Sequence, residues 1–360
     1  MLARIIAHEI SQANMRKGGA GNWYTSNVRD AMGIASMMHP EMQDNPVLEH
    51  AYKLALAVTS QGEKVWPNNT KYADRAFDIF KRTGRFPTDQ KYVKGKYVNG
   101  NFQKLNDLFD SHAQEGDPHG HIGALDFLHT KFTAGELAKM GYTAAKGEEV
   151  NTPVYGSQIL GSKIGQGFYS NLRGKYDPTT FDMWWMRGWN RLTGNILGQA
   201  DPKAAAKTKQ AYLDSLGADA PKRADALRRL AEQDSAQHER DYKQFRAEYD
   251  AGTRVKSKRT NAAVAYLKSL SGMNDSPRSG GQRTWMRKVA EQARQILAEH
   301  GHHLTNADMQ ALWWYPEKDL YGQSDKNVDY AQAMTNLAKE KGYNDSAIAQ
   351  AVATARRRSG

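Results

Sequence analysis

The sequence contains no cysteine, and this absence excludes several kinds of structure and chemistry. A disulfide framework, a thiolate zinc site, an iron–sulfur cluster and a cysteine nucleophile all need that side chain. Long apolar runs are also missing, since none approaches the roughly 20 residues that span a bilayer. Residues 1–14 carry Arg4, His8 and Glu9 and lack the apolar segment of a secretory signal. We therefore expect a soluble, cytoplasmic protein with no membrane partner.

The chain is long enough for a substantial core and carries an excess of positive charge. Its 360 residues suffice for one large domain or two ordinary ones, at roughly 100–200 residues each. Lys and Arg number 50 against 39 Asp and Glu, so the formal net charge is +11. Such an excess favours a polyanionic partner such as nucleic acid. Simple solubility among neutral partners is the alternative explanation.

Apolar residues recur mostly at helical spacing, which predicts a mainly α fold. Alternation typical of strands is confined to residues 91–98, a candidate small hairpin. The candidate helices are 47–59, 72–83, 102–112, 122–131, 134–140, 162–172, 181–192, 203–216, 222–249, 260–270 and 284–300.

A shift in composition after residue 197 divides the chain into two predicted regions. Residues 1–200 form the core, and residues 201–360 form a basic helical C-terminal region that packs on it or extends it. Within that region, Arg254 to Arg259 is a basic run without an acid, which suits phosphate groups. Further on, three adjacent aromatics precede Pro316. They predict a helix that ends near this proline and packs Trp313 and Trp314 on the core, with base stacking as the alternative.

The segment 155–194 carries the residues best suited to chemistry. It is predicted to form a helix, a tight turn at Gly161, a second helix, a loop, and a third helix beginning near Phe181. Such a turn presents backbone N–H groups at a helix N-terminus, where a phosphate binds well. Lys163 lies at the turn and Asp182 at the start of the third helix, 19 positions later. The two side chains can meet across the intervening helix and loop.

This segment resembles the helix-hairpin-helix DNA glycosylases, the superfamily of endonuclease III and the 8-oxoguanine glycosylases. That family has a hairpin of the form L-P-G-x-G-x-K, then a helix, then V-D-x-H-x-x-R. Gly161-Ser162-Lys163 matches the end of the hairpin, and Phe181-Asp182 matches the Val-Asp pair. Arg187, Asn190 and Arg191 match the basic positions that follow the aspartate in the family. Upstream, LALAVTSQ, which ends at Gln61, resembles the family's early helix.

The segment also departs from the family pattern at three positions. Ile159 stands at the first hairpin glycine, Gln158 at the usual proline, and Trp184 at the histidine that follows the catalytic aspartate by two residues. The lack of cysteine excludes an iron–sulfur version of the fold.

The resemblance implies a two-lobed helix-hairpin-helix glycosylase-like fold with an additional C-terminal helical region. It implies excision of a damaged or modified base from double-stranded DNA by cleavage of the N-glycosidic bond. The base would flip out of the duplex, and the protein would act as a monomer without a cofactor or metal. Asp182 would stabilise the oxocarbenium ion or activate the nucleophile. Lys163 would attack C1′ if the enzyme also has AP-lyase activity.

Further positions carry over from the resemblance with weaker roles. The predicted DNA-binding residues are Gly161, Ser162, Gly165, Arg187, Arg191 and Gln61, and the predicted base pocket contains Trp66, Trp184 and Trp185.

Each assignment has a structural alternative. Asp182 has the residue type and position of a helix N-cap. Lys163 suits a phosphate contact or a surface charge, and each tryptophan suits an ordinary core position.

Three functional classes are consistent with the sequence. A glycosylase aimed at modified phage DNA would serve antiviral defence. A phage-type base hypermodification enzyme on the same fold would alter a base instead of releasing it. The third class is a non-catalytic DNA-binding module in which Asp182 only caps a helix.

Overall fold

The computed structural model describes residues 1–16, 23–61, 66–89, 96–193, 202–216, 276–277, 279–320 and 329–358. These residues confirm the mainly helical class. The predicted helices 222–249 and 260–270 and the basic run from Arg254 to Arg259 lie outside them.

The α-helices are α1 (Leu2–Arg16), α2 (Trp23–Met38), α3 (Pro46–Thr59), α4 (Trp66–Thr83), α5 (Lys96–His112), α6 (His121–His129), α7 (Ala134–Lys139), α8 (Ser170–Leu172), α9 (Met183–Leu192), α10 (Pro202–Leu216), α11 (Gly280–Glu299), α12 (Asn306–Leu320), α13 (Tyr330–Glu340) and α14 (Asp345–Arg358).

Shorter helical turns and one small sheet complete the described architecture. The 3-10 segments are Pro40–Met42, Thr143–Gly147 and Gly156–Leu160, and a π-helical segment is Ser162–Tyr169. Strands β1 (Lys131–Thr133) and β2 (Pro153–Tyr155) pair antiparallel, with Phe132 opposite Val154. No helix within the described ranges has the length and apolarity needed to cross a bilayer.

Helix α3 lies at the centre of the main core because its sequence is apolar on almost every side. Residues 51–59 are all buried. Asn45 caps its N-terminus through Oδ1, which accepts hydrogen bonds from the amides of Val47 and Leu48 at 3.0 and 3.2 Å. Helix α4 and the π-helical segment both pack against α3. This central helix therefore supports the segment that carries the candidate chemistry.

The predicted strand over residues 91–98 is wrong at its C-terminal end, where α5 begins at Lys96. Val98, Phe102 and Leu105 are all buried, and their spacing of four and three residues matches one helical face. The helical period of this apolar stripe determines the structure from Lys96 onward, and residues 91–95 lie outside the described ranges. The two strands among the described residues, β1 and β2, have three residues each, too few to leave a clear alternating pattern.

The predicted end of a helix near Pro316 is also wrong, because α12 continues to Leu320. A proline removes one helical hydrogen bond, but tertiary packing can offset that cost. Trp313 is 1% exposed and meets the ring of Trp185 edge-on, with centroids 4.5 Å apart. Its Nε1 donates to Glu9 Oε2 at 3.0 Å. Packing of Trp313 on the core is therefore confirmed.

The chain divides into two compact units. The first combines residues 1–185 with 277–360, so the breaks fall at 185 and 276 instead of at residue 200. In this unit α1 packs against α11 and α12, while α2 packs against α13 and α14. The second unit covers residues 186–276 and contains α10, whose Tyr212 is buried.

Candidate functional site

The segment 156–172 is a pair of short helices joined at Gly161. Gly161 has φ +97°, a conformation that favours glycine. The helices cross closely at Gly165, where a Cβ would lie 1.6 Å from the carbonyl oxygen of Ser157. Ser157 Oγ also donates to the carbonyl of Gly165 at 2.9 Å. Gly165, predicted to bind DNA, is therefore required by the packing of the hairpin itself.

A buried carboxylate anchors the start of the second hairpin helix. Ser162 Oγ donates to Glu148 Oε1 at 2.8 Å and accepts from Gln158 Nε2 at 2.9 Å. Arg287 Nη2 lies 2.9 Å from the other oxygen of Glu148, and Arg283 Nε lies 3.5 Å from Oε1. The hydroxyl of Ser162 is thus engaged within the protein. The backbone amides at the start of this helix lack intrahelical partners by geometry and are the groups left for a phosphate.

Asn101 joins Gln61 to the hairpin. Its Nδ2 donates to Gln61 Oε1 at 2.8 Å and lies 3.4 Å from the carbonyl oxygen of Leu160, which precedes the Gly161 turn. Lys104 on the same helix reaches the carbonyl of Ile159 at 3.4 Å. The structure therefore brings the predicted Gln61 beside the predicted hairpin through α5, a connection absent from the sequence pattern.

Asp182 begins α9 and caps it. Its Oδ1 accepts a hydrogen bond from the backbone N–H of Trp185 at 2.9 Å, and the residue is 8% exposed. This is the N3 contact of an N-cap, the structural alternative recognised in the sequence. A carboxylate has two oxygens, and Asp182 makes a further interaction besides this cap. The structure establishes the cap, and the chemical role of Asp182 stays a prediction.

Lys163 is exposed on the first turn of the π-helical segment. No described residue forms a hydrogen bond or ion pair with its ammonium group. Thr180 reaches the same helix further along, since a Cβ on Gly167 would lie 2.2 Å from Thr180 Oγ1. The loop that leads to Asp182 therefore packs against the π-helical segment that carries Lys163.

The predicted pocket tryptophans lie in different surroundings. Trp185 is 1% exposed and packs against Phe181 and Trp313, so a base could contact it only by displacing a core ring. Trp184 is half-buried. Trp66 begins α4, and its side chain lies outside the described part of the structure.

Arg187 and Arg191 belong to the second unit. Both are half-buried and lie four residues apart on α9, on one helical face. Asn190 between them is 7% exposed.

A cleft of about 300 Å³ lies beside the hairpin. Its wall includes the loop before Asp182 and residues of β2, the hairpin, α11 and α12: Tyr155, Gln166, Asp177, Thr179, Arg287 and Asn306. Arg287 Nη1 and Asn306 Oδ1 are buried and have no hydrogen-bond partner among the described atoms. One is a donor and the other an acceptor. The volume is at the lower end of that of ligand pockets.

Sequence reasoning missed the cleft residues Tyr155, Arg287 and Asn306. They come from three separate parts of the chain, and no local pattern marks them. Over the described ranges, no group of three or more His, Asp or Glu side chains is arranged to hold a metal ion.

No family model matches the chain, and comparisons with curated proteins and with solved structures give no significant match.

Proposed function

We propose that the protein is a DNA glycosylase of the helix-hairpin-helix type, which excises a damaged or modified base. One observation carries the proposal: residues 177–179 of the loop before Asp182 and Gln166 of the hairpin line one cleft. In the resembling family, these two motifs hold the DNA backbone and the reacting sugar. The net charge of +11 suits a polyanionic substrate.

The cleft is the proposed receptor for the flipped base. Its unpaired donor on Arg287 and unpaired acceptor on Asn306 suit the mixed donor and acceptor edge of a nucleobase. The ring of Tyr155 supplies an aromatic wall. In the glycosylase step, water adds to C1′ while the C1′–N bond breaks and the base leaves with a proton. The carboxylate of Asp182 stabilises the positive charge that develops on the sugar.

Lys163 is the proposed nucleophile of an additional lyase step. Its amine would displace the base at C1′ and form a Schiff base with the opened sugar. An exposed lysine without an ion-pair partner among the described residues is accessible to DNA. Antiviral defence against modified phage DNA is the biological role that we propose for this activity.

The first test is incubation of the purified chain with a panel of duplexes: unmodified, oxidised, deaminated, and phage DNA with hydroxymethylated or glucosylated cytosine. We expect alkali-labile sites on one modified DNA, and a borohydride-trapped adduct that Lys163→Ala abolishes. The exposed Lys139→Ala, on α7, serves as the control. New base adducts in place of abasic sites would instead favour hypermodification.

A matched pair of variants tests the role of Asp182. Asp182→Asn keeps an oxygen that can cap α9 but removes the negative charge, so base release should fall at least a hundredfold. Asp329→Asn is the control, because Asp329 caps α13 in the same way through Gln332 at 2.7 Å. Full activity of Asp182→Asn would refute the catalytic assignment.

The cap hydrogen bond also supports a second candidate, a DNA-binding module without catalysis. Trp185 N–H occupies one oxygen of Asp182, which a purely structural role would explain. This candidate predicts DNA binding that weakens steeply with salt and no product from any duplex.

A further inference from the structure

A cluster of titratable side chains lies where α3, α6 and the π-helical segment meet, apart from Lys163 and Asp182. The Tyr169 hydroxyl lies 2.9 Å from His129 Nε2 and 3.1 Å from His50 Nδ1. The two imidazole centroids are 4.5 Å apart. Tyr169 is fully buried, whereas both histidines are half-buried. The hydroxyl therefore holds the two rings in a defined orientation between core and solvent.

The hydrogen bonds of Tyr169 determine which histidine nitrogens remain for a ligand. A hydroxyl has one proton, so it donates to one inner nitrogen and accepts from the N–H of the other ring. The outer nitrogens, His50 Nε2 and His129 Nδ1, make no hydrogen bond with any residue that the structure describes. With both rings neutral, one outer nitrogen is a donor and the other an acceptor.

Arg173 adds an unsatisfied guanidinium to this cluster. It lies four residues after Tyr169, and its guanidinium carbon stacks over the ring of Tyr155 at 4.3 Å. Its Nε and Nη2 atoms are buried and have no hydrogen-bond partner within the described ranges. Burial lowers the pKa of Arg173, although the group stays charged at neutral pH. Buried charged donors without an acceptor are costly, which points to an oxygen ligand at this position.

The remaining charges around the cluster are mostly positive. Lys53 Nζ pairs with Glu49 at 2.6 Å, and Lys175 is exposed without an ion-pair partner among the described side chains. The negative charge of Asp177 raises the pKa of Arg173 slightly against the effect of burial, but the two side chains form no ion pair. The cations thus outnumber the nearby acids.

This environment lowers the pKa values of both histidines. Burial first, and then the charges of Lys53 and Arg173, lower the pKa of His50 to about 4. Burial, the neighbouring His50 and the charges of Arg173, Lys53 and Lys175 lower the pKa of His129 to about 3. A metal cation would meet the same unfavourable charges, whereas an anion would relieve them.

We propose that Arg173, His50 and His129 form a binding site for a phosphate group. The planar guanidinium presents a fork of donors that matches phosphate oxygens, and the outer imidazole nitrogens supply further contacts. Tyr169 is a positioning residue that orients both rings. This site does not depend on base excision, and its ligand is either the nucleic acid backbone or a small phosphate-bearing molecule.

The test follows the histidine side chains of the ¹⁵N-labelled full-length protein by NMR as inorganic phosphate is added. His50→Gln and His129→Gln assign the two signals. We expect saturable shifts of both, and a rise of at least one unit in the pKa of each imidazole when phosphate is bound. Because the shift is linked to binding, phosphate affinity should rise at least tenfold as these imidazoles become protonated. Parallel titration with sulfate, which stays a dianion over this pH range, separates protonation of the histidines from that of phosphate.

Arg173→Gln should weaken phosphate binding at least tenfold, and Arg173→Lys should restore part of it. Arg85→Gln is the matched control, because Arg85 is an exposed arginine that pairs with Asp110. Circular dichroism establishes that each variant folds. If the Arg173 variants fail to fold, the titration of the unchanged protein decides: absence of any phosphate-induced shift of His50 and His129 overturns the site.

A second arm uses a short unmodified DNA duplex in place of phosphate. Shifts of the same two histidines by DNA would assign the site to the nucleic acid backbone. Shifts by inorganic phosphate alone would assign it to a small molecule. Both readouts are binding measurements, so they stand or fail independently of base release. Shifts that persist unchanged in a folded Arg173→Gln variant would refute the proposal.

Discussion

The hairpin segment 156–172 and the C-terminal helices α13 and α14 are both helical, but different forces hold them. Close glycine contacts and buried polar groups hold the hairpin, including Gly165 against Ser157 and Ser162 against Glu148. Helices α13 and α14 pack mainly through apolar side chains such as Met334 and Ile348, which are 0% and 6% exposed. Their ion pairs, such as Arg356 with Asp30, join a solvent-exposed cation to a carboxylate that is largely buried.

The hairpin holds polar groups in fixed orientations, whereas the C-terminal helices mainly bury apolar surface. A buried polar network gains little net stability because each group must first be desolvated, but it holds its members in one orientation. Apolar packing is more stabilising for each group buried and less demanding in direction. The hairpin is therefore suited to hold a reacting group or phosphate, and the C-terminal helices are suited to complete the core.

The largest expected effect is the loss of the close contact in the hairpin. Gly165→Ala places a Cβ 1.6 Å from the carbonyl oxygen of Ser157, so the two hairpin helices must separate. We expect the free energy of unfolding to fall by about 3 kcal/mol or more in urea denaturation. Gly174→Ala is the control, since Gly174 has φ +83° and open space, and should cost about 1 kcal/mol. Equal effects of the two variants would contradict close packing at Gly165.

The histidine cluster predicts a pH dependence of stability. The pKa values of His50 and His129, about 4 and about 3, lie below the ordinary value of 6.5. Below pH 6.5 the unfolded chain therefore binds protons that the folded protein does not, and stability falls as the pH falls. Between pH 7 and pH 5 we expect a loss of about 2 kcal/mol, allowing for the partial exposure of both rings.

The paired substitution of His50 and His129 by glutamine provides the control for this dependence. It should flatten the profile of unfolding free energy between pH 5 and pH 7, because glutamine does not titrate. An unchanged slope would show that other groups cause the loss.

Removal of the cap on α9 should have a smaller effect. Asp182→Ala removes the acceptor for Trp185 N–H and should cost about 1 kcal/mol in the free energy of unfolding, while Asp182→Asn should cost a few tenths. Chemical denaturation measures both. If asparagine destabilised the fold as much as alanine, the charge of Asp182 and not its cap would be the stabilising feature.

The smallest effect is expected for the ion pair of α14. Arg356 Nη2 lies 2.6 Å from Asp30 Oδ2, but the arginine side chain is 59% exposed. Arg356→Gln should therefore lower the free energy of unfolding by less than about 1 kcal/mol. Added salt should reduce the difference between the variant and the unchanged protein further. A loss comparable to that of Gly165→Ala would remove the contrast between the two regions.

Local patterns predicted the helices well where the apolar period was long. The predicted helix 47–59 differs by one residue from α3, because an asparagine cap, a proline and a continuous apolar run mark it clearly. The predicted start at residue 72 missed the first turn of α4 at Trp66, where Pro67 and two asparagines weaken the helical signal. Pro316 predicted a helix end that does not occur, since burial of α12 outweighs the local preference of proline against helix.

The candidate site was only partly predictable. Gly161 and the cap position of Asp182 follow from residue types with strong local preferences. The interaction of Gln61 with Asn101 and the cleft residue Arg287 depend on contacts between distant segments, which spacing along one chain does not encode.

Composition and periodicity alone were sufficient for the mainly helical class and for the turn at Gly161, because these depend on nearest neighbours in the chain. Tertiary structure alone decided that Tyr169 meets His50, 119 residues earlier, and His129, 40 residues earlier. It also decided that residues 277–360 join the unit formed by residues 1–185. The physical reason is that local propensity acts within a few residues, whereas burial of apolar surface and pairing of polar groups select among partners from the whole chain.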